Sequence, residues 1–295
     1  MTTNSNDNMN GTKKILKNIL LIGASGMLGL SILDNIDDSE INIMTPTSKD
    51  VDITNIDSIR EFVKNIEFDT LINCAAYTKV DQAEIEKELC LNLNVQGPYN
   101  LAIICKENNA TMIHISSDYV YSGDSKIPYA EETAGYCVNF YGETKLEGEN
   151  KVLDVLKGNS VIIRTSWLYS KTHGKNFYKT ILNLARTRDT LNIVSDQYGT
   201  PTLADDLARM ILSFTLDDKT FNSDEGQVFN FSNEGQCSWY DFASRIVEVN
   251  SINCKVLPVS TSEFPTIARR PTYSVMDKSK ITKVFQRSIN HWEMM

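Results

Sequence analysis

Tyr141 and Lys145 stand four residues apart in Tyr141-Gly142-Glu143-Thr144-Lys145. On a helix that spacing puts both side chains on one face. A phenol with its ordinary pKa of about 10 is a poor proton donor or acceptor at neutrality. A cation beside it favours the phenolate and lowers that value. The pair can therefore pass a proton to or from an alcohol or carbonyl oxygen. The same spacing also occurs on solvated surface helices, so the reading depends on what accompanies it.

Ser116 and Ser117 are the first such company. They end the apolar run Ala110-Thr111-Met112-Ile113-His114-Ile115 and precede Asp118-Tyr119-Val120-Tyr121. The run predicts a strand over 110–117, with His114 as a core residue. In a doubly wound sheet, ligands sit beyond the carboxyl ends of the strands. A serine there can donate to a substrate carbonyl and accept from Tyr141. Two serines at a strand end can equally cap a turn.

The apolar run 18–22 predicts a strand buried on both faces. It enters Gly23-Ala24-Ser25-Gly26-Met27-Leu28-Gly29, after which Leu28, Ile32, Leu33 and Ile36 recur at helical spacing. Glycines let the backbone turn sharply and approach a pyrophosphate, which the helix N-terminus favours. The spacing is G-x-x-G-x-x-G, not the commoner G-x-G-x-x-G, and a plain tight turn is the competing reading. A second strand is expected over 41–44. Thr45-Pro46-Thr47-Ser48-Lys49 follow it, with no carboxylate before Asp50. An acidic residue there would hold a ribose 2′-hydroxyl, whereas hydroxyls and a lysine suit a 2′-phosphate. Ser48 and Lys49 therefore favour NADPH, although Lys49 also reads as a plain surface lysine. Asp52 and Ile53 are then expected against the adenine.

A third strand over 69–76 ends in Ala75 and Ala76, which leave room for a cofactor backbone or for a closely packed helix. A long helix is expected over 82–107, with Leu91, Val95, Leu101 and Ile104 as its apolar stripe and a bend at Gly97-Pro98. The Tyr141 helix should run to about residue 156, and a strand over 160–164 leads to Thr165-Ser166-Trp167. Such alternation predicts a parallel α/β sheet. The last third reads as a helix over 177–185, a strand over 191–194, a polar loop over 195–202 and a strand over 227–231. Thr202 with Asp205, and Ser238 with Asp241, predict caps for helices over 203–214 and 239–249. Arg269-Arg270-Pro271 suits a diphosphate, or is a pair of solvated arginines.

The fold expected is a Rossmann-type doubly wound parallel sheet with a small α+β C-terminal substrate lobe. Residues 15–170 are assigned mainly to the dinucleotide-binding domain. Residues 171–295 are assigned mainly to the lobe, with the chain crossing back to the sheet. The 295 residues are 41% hydrophobic and 23% charged, as in a soluble globular protein. A net charge of -9 argues against nucleic acid and anionic membrane as partners. The six cysteines form no C-x-x-C pair, which predicts free thiols in a reducing cytoplasm. His114, His173 and His291 share no metal-ligand spacing, so no metal is expected. Residues 1–14 are rich in Asn, Thr and Ser and lack the apolar segment of a secretory signal, which predicts a disordered tail. No apolar run is long enough to span a bilayer.

Several further stretches occur in order. They are Asn73-Cys74-Ala75-Ala76-Tyr77-Thr78-Lys79-Val80-Asp81-Gln82-Ala83-Glu84, Arg164-Thr165-Ser166-Trp167, Asp196-Gln197-Tyr198-Gly199-Thr200-Pro201-Thr202, Ser238-Trp239-Tyr240, and Arg270-Pro271 followed by Ser274-Val275-Met276-Asp277. Together with the glycine turn, Ser116 to Tyr121 and Tyr141 to Lys145, they resemble the extended short-chain dehydrogenase/reductase family. Within it they most resemble the dTDP-4-dehydrorhamnose reductases, from Asn18 nearly to the C-terminus. The resemblance implies reduction of the 4-keto group of a nucleotide-linked 4-keto-6-deoxyhexose, with hydride from a nicotinamide. It implies that Tyr141 gives the proton, that Lys145 binds the nicotinamide ribose and lowers the Tyr141 pKa, and that Ser117 orients the carbonyl where relatives often carry Thr. It places Gly23, Ser25, Gly26, Met27, Leu28, Gly29, Ala75, Ala76, Tyr77 and Asn94 at the cofactor. Thr78, Val80, Asp118, Tyr119, Trp167, Gln197 and Arg270 fall to the substrate, with Arg270 near the diphosphate.

Ser48 stands where many relatives carry arginine, which leaves NADH open beside NADPH. The sequence leaves the nucleotide open between dTDP and UDP. A homodimer is a habit of the family. Two alternatives stand: a non-catalytic NADP-binding regulatory subunit of the methionine adenosyltransferase beta type, and a bifunctional 3,5-epimerase/4-reductase. The second needs an extra acid/base pair, for which Cys74 offers only one member.

Overall fold

The structure is a computed structural model and describes residues 17–36, 41–216 and 224–295. The tail expected over 1–14 lies outside the described residues. The first half runs β1 (Lys17–Ile22), α1 (Met27–Asp34), β2 (Ile41–Met44), α2 (Ile56–Val63), β3 (Thr70–Asn73), α3 (Val80–Ala83), α4 (Lys87–Leu91), α5 (Gly97–Glu107), β4 (Thr111–Ser117), α6 (Phe140–Leu156) and β5 (Ser160–Thr165). The second runs β6 (Leu168–Tyr169), α7 (Phe177–Ala185), β7 (Thr190–Val194), β8 (Tyr198–Gly199), β9 (Thr202–Leu203), α8 (Ala204–Leu216), β10 (Gln227–Phe231), β11 (Cys237–Ser238), α9 (Trp239–Val249), β12 (Lys255–Val259) and α10 (Ser279–Phe285).

The central sheet has six strands in the order β10-β5-β4-β3-β1-β2, all pairs parallel. β1 explains why both faces are covered. Its side chains alternate in direction, and Ile19 and Leu21 enter one core while Leu20 and Ile22 enter another. The first core is closed by Leu28 and Ile32 of α1 and by Leu207, Ile211 and Phe214 of α8. The second is closed by Ile59 of α2, Leu101 and Ile104 of α5, and Val152 of α6. Each such aliphatic side chain contributes about 1.5–3 kcal/mol on full burial. The chain returns to the sheet late, because β10 pairs with β5. A separate core fills the C-terminal lobe, where Ile181 of α7, Phe242 and Ile246 of α9, and Leu191 of β7 meet. β7 and β12 form its parallel pair.

The helix expected over 82–107 is not continuous. It breaks at 84–86, after α3, and then runs unbroken from α4 through a π-helical turn at Asn92–Gln96 into α5. Pro98 has no N–H to offer the Asn94 carbonyl, so the regular ladder cannot pass through it. Val95, Leu101 and Ile104 are buried as expected, but Leu91 is exposed. Thr202 does not cap α8. It pairs within β9, and the Leu203 N–H donates instead to Asn233 Oδ1 at 2.7 Å. Ser238 and Asp241 form the expected reciprocal cap of α9.

Candidate active site

β4 and α6 bring the expected catalytic side chains together. Asn139 starts α6 by accepting the Gly142 N–H at 2.9 Å, which satisfies one of the helix's free donors. Gly142 lets the helix reach the end of β4, since a Cβ there would lie 2.1 Å from the Tyr119 carbonyl oxygen. Tyr141 is buried, and its ring meets Tyr119 edge-on at 5.5 Å. Lys145 is also buried, and its Nζ donates to the Ile115 carbonyl at 2.7 Å. Ser117 Oγ donates to Asp118 Oδ1 at 3.1 Å and accepts the Tyr119 N–H at 3.3 Å.

Burial sets the electrostatics here. It pushes the Tyr141 phenol above its ordinary value, with Ser117 partly offsetting it and Asp118 adding to it. Desolvation dominates this shift, and Lys145 is not among the groups that set it. Burial pulls Lys145 down to about 8, against the opposing charge of Glu149. It pushes Asp118 up to about 6, against the pull of Ser274 and Ser117. Asp118 Oδ2 and the Ser274 hydroxyl are both buried, and the hydroxyl favours the ionised carboxylate.

The glycine turn has the form of an anion cradle. Gly23 has φ 82°, and a Cβ there would lie 2.6 Å from the Ala75 nitrogen. A Cβ on Gly29 would lie 2.5 Å from the Gly23 oxygen, so α1 packs onto the turn only with glycine. Gly26 differs: a Cβ would meet only the Gly23 oxygen at 3.2 Å, which leaves its outer side open. No side chain caps α1 at Gly26, so its leading N–H groups are left for an anion. Ser25 is exposed beside them, Met27 is half-buried and Leu28 is buried. These features fit a dinucleotide pyrophosphate.

The other expected residues come from the segments after β3 and β2, from α4–α5 and from the lobe. Ala75, Ala76 and Tyr77 follow β3, with Thr78 exposed and Val80 opening α3. Asn94 is fully buried and its amide is spent on the protein. It accepts the Tyr77 N–H at 2.8 Å and donates to the Tyr77 carbonyl and Thr144 Oγ1, both at 3.1 Å. It thus acts on the site by fixing Tyr77. Ser48 and Lys49 are exposed in a turn closed by Asp50, which accepts from Thr47. Asp52 accepts from Thr54, while the Ile53 side chain enters the core beneath Gly97. In the lobe, Trp167 stacks on Trp239 at 3.4 Å, and Gly199 lies against its ring, where a Cβ would be 2.5 Å away. Gln197 Nε2 donates to Thr261 at 3.0 Å. Arg270 Nη2 donates to Asp81 Oδ2 at 2.8 Å.

Three supports carry no signal in the sequence. Arg164 of β5 is ion-paired with Glu149 of α6 at 2.6 Å. Asn73 Nδ2 donates to the His114 ring at 3.0 Å while Asn73 Oδ1 accepts from Ala75. The lobe rests on α1 through His173, 2.6 Å from Asp34, and through Asn176, whose Nδ2 donates to Met27 Sδ at 3.4 Å. All six cysteines are free. Among the described residues no His, Cys, Asp and Glu group is arranged to hold a metal, and no helix is long and apolar enough to cross a membrane.

A family profile described as RmlD substrate binding domain matches residues 17–295. The dTDP-4-dehydrorhamnose reductase of Aggregatibacter actinomycetemcomitans is 34% identical over 283 residues, covering 93% of this chain and 95% of that protein. The crystal structure of dTDP-4-dehydrorhamnose reductase (rfbD) from Bacillus anthracis str. Ames in complex with NADP matches with a TM-score of 0.89 at 35% identity, over 95% of this chain and 97% of that one. The Clostridium acetobutylicum ortholog gives a TM-score of 0.87 at 38% identity, over 94% and 96%. The chain belongs to the dTDP-4-dehydrorhamnose reductase family.

Proposed function

We propose that this chain reduces the 4-keto group of dTDP-4-dehydrorhamnose with NADPH, giving the rhamnose nucleotide. The observation that carries this reading is the meeting of Ser117, Tyr141 and Lys145 at the carboxyl end of β4, on the sheet edge that also holds the open glycine turn. The named relatives support dTDP over UDP, and the NADP-bound Bacillus anthracis structure supports NADPH over NADH. Bound NADPH supplies the hydride. Gly23, Gly26 and the N-terminus of α1 hold the pyrophosphate, Ser25 and Met27 border it, and Ser48 and Lys49 lie toward the 2′-phosphate.

Tyr141 keeps its proton at neutrality because burial raises its pKa. A developing alkoxide is a stronger base still, so the proton passes from the Tyr141 oxygen to the substrate oxygen. Lys145, still largely charged at pH 7, faces the phenolate left behind. Ser117 turns its O–H from Asp118 to the carbonyl and orients it. Trp167, Gln197 and Tyr119 line the sugar nucleotide, Thr78 and Val80 border it, and Arg270 meets its diphosphate. In this reading residues 15–170 mainly hold the dinucleotide and residues 171–295 mainly hold the sugar nucleotide. A cytoplasmic protein with six free cysteines and a homodimeric assembly complete it, and light scattering tests the dimer.

The burial that pushes the Cys74 thiol up to about 12 makes it a poor base, which favours the reductase over the epimerase/reductase alternative. The test is NADPH consumption with dTDP-4-dehydrorhamnose, followed by absorbance, with product identified by mass and sugar analysis. A rhamnose nucleotide is expected. Absence of turnover with both dTDP and UDP substrates, despite NADPH binding, would sink the reading and favour a regulatory subunit.

A further inference from the structure

The segment Ala268-Arg269-Arg270 is held from two sides. Asp81 of α3 uses both carboxylate oxygens on it: Oδ1 accepts the Ala268 N–H at 3.0 Å and Oδ2 accepts Arg270 Nη2 at 2.8 Å. Asn139, the cap of α6, donates its Nδ2 to the Arg269 carbonyl at 2.9 Å. Asp81 therefore fixes the backbone before Arg270 and one nitrogen of its side chain.

The rest of the guanidinium is not used in this way. The Arg270 side chain is 18% exposed, and its Nη1 is buried without a hydrogen-bond partner among the described residues. Buried donors are nearly always paired, so one left over calls for an acceptor. A guanidinium presents its donors in a rigid fork suited to phosphate oxygens. Here only one nitrogen meets the carboxylate, not the two of a bidentate pair. The guanidinium of Arg270 also faces the Tyr119 hydroxyl, by charge and within hydrogen-bonding reach, and the Tyr119 ring borders Tyr141. The side of the fork turned away from Asp81 thus lies toward the reaction centre.

We infer that Asp81 is a positioning residue that holds the Arg270 fork beside Tyr119 and toward the diphosphate of the sugar nucleotide. The inference rests on the substrate class proposed above. A long arginine loses rotamer freedom when it meets a ligand, and ordering it beforehand removes that cost. Asp81 acts through Arg270 and does not itself touch the substrate.

Titration calorimetry of the full chain with dTDP tests this, in wild type, Asp81→Asn, Arg270→Ala and the double variant. The Asp81→Asn protein should bind dTDP about tenfold more weakly, with NADPH affinity unchanged. In the double variant, loss of Asp81 should add nothing to loss of Arg270, because contacting residues that act as one unit are not additive. Arg270→Lys should also weaken dTDP about tenfold, since an ammonium lacks the fork; this variant decides the matter if Asp81→Asn does not fold. Wild-type affinity in Asp81→Asn or in Arg270→Lys overturns the inference. So do additive losses in the double variant, which would make Asp81 a loop anchor only. A wild-type protein that binds no dTDP fails the substrate reading first, and the inference with it.

Discussion

Glu149 Oε2 and Arg164 Nη2 meet at 2.6 Å, and both side chains are almost wholly buried. Glu149 lies one turn beyond Lys145 on the face of α6 that carries Tyr141, so the pair pins α6 to β5. Burial opposes the charge on Arg164, but the hydrogen bonds and charge of Glu149 outweigh it and hold the guanidinium charged. Arg164 Nη1 also donates to the Glu131 carbonyl at 2.6 Å and to Tyr121 at 3.0 Å. Removing the carboxylate strands a buried cation. Glu149→Ala is expected to lose about 3–5 kcal/mol of stability, read from urea unfolding. A loss below about 1 kcal/mol would mean that water or a rearranged side chain replaces the carboxylate.

Tyr141→Phe keeps the ring and its edge-on contact with Tyr119 while deleting the proton. Turnover is expected to fall by about 10²–10⁴-fold, with NADPH affinity retained. Steady-state rates beside cofactor titration check this. A fall of less than tenfold would assign proton donation to another group.

Asp118 links stability to pH. Its carboxyl stands at about 6 in the folded chain against an ordinary 3.8, because of burial. The folded state therefore holds this proton more tightly than the unfolded state. The resulting stability is whole below about pH 4 and is lost as pH rises through about 6. At neutral pH the buried charge costs at most about 3 kcal/mol. Asp118→Asn is expected to stabilise the protein at pH 7, to change it little at pH 4, and to lower turnover. Unfolding midpoints at both pH values decide it; a shift of equal size at both would remove titration as the cause.

Gly148 sits where α6 crosses the π-helical turn, and a Cβ there would lie 2.1 Å from the Asn94 carbonyl oxygen. That oxygen is backbone and cannot swing aside. Gly148→Ala is expected to cost about 1–3 kcal/mol and to loosen the Asn94 clamp on Tyr77. Thermal unfolding should show a lower midpoint, and NADPH should bind more weakly. An unchanged midpoint would mean that the helix shifts without strain.

Much of this protein was legible in its residues. The apolar runs of β1, β2, β5 and β10, the glycine turn, the helix from Tyr141, α7, and the cap of α9 all follow from local rules of period, turn and capping. So does the meeting of Ser117 with Tyr141, since a strand end and the next helix must adjoin in a parallel sheet. The irregularity over 82–107 was half legible: Gly97-Pro98 marks a disturbed ladder in the sequence, whereas the break at 84–86 and the hold of Asn94 on Tyr77 and Thr144 depend on packing.

What the sequence determined by itself is the sheet, the order of its elements and the chemistry they place at one edge, because those depend on neighbours a few residues apart. Tertiary structure alone decided which charges pair and how burial tunes them. Asp81 and Arg270 are separated by 189 positions, His173 and Asp34 by 139, and Asn139 and Arg269 by 130. Spacing along the chain carries no trace of such partners. The direction of the Tyr141 shift had the same origin: the desolvation that raises it exists only once Tyr77, Ala83, Cys90 and Tyr119 have packed around the phenol.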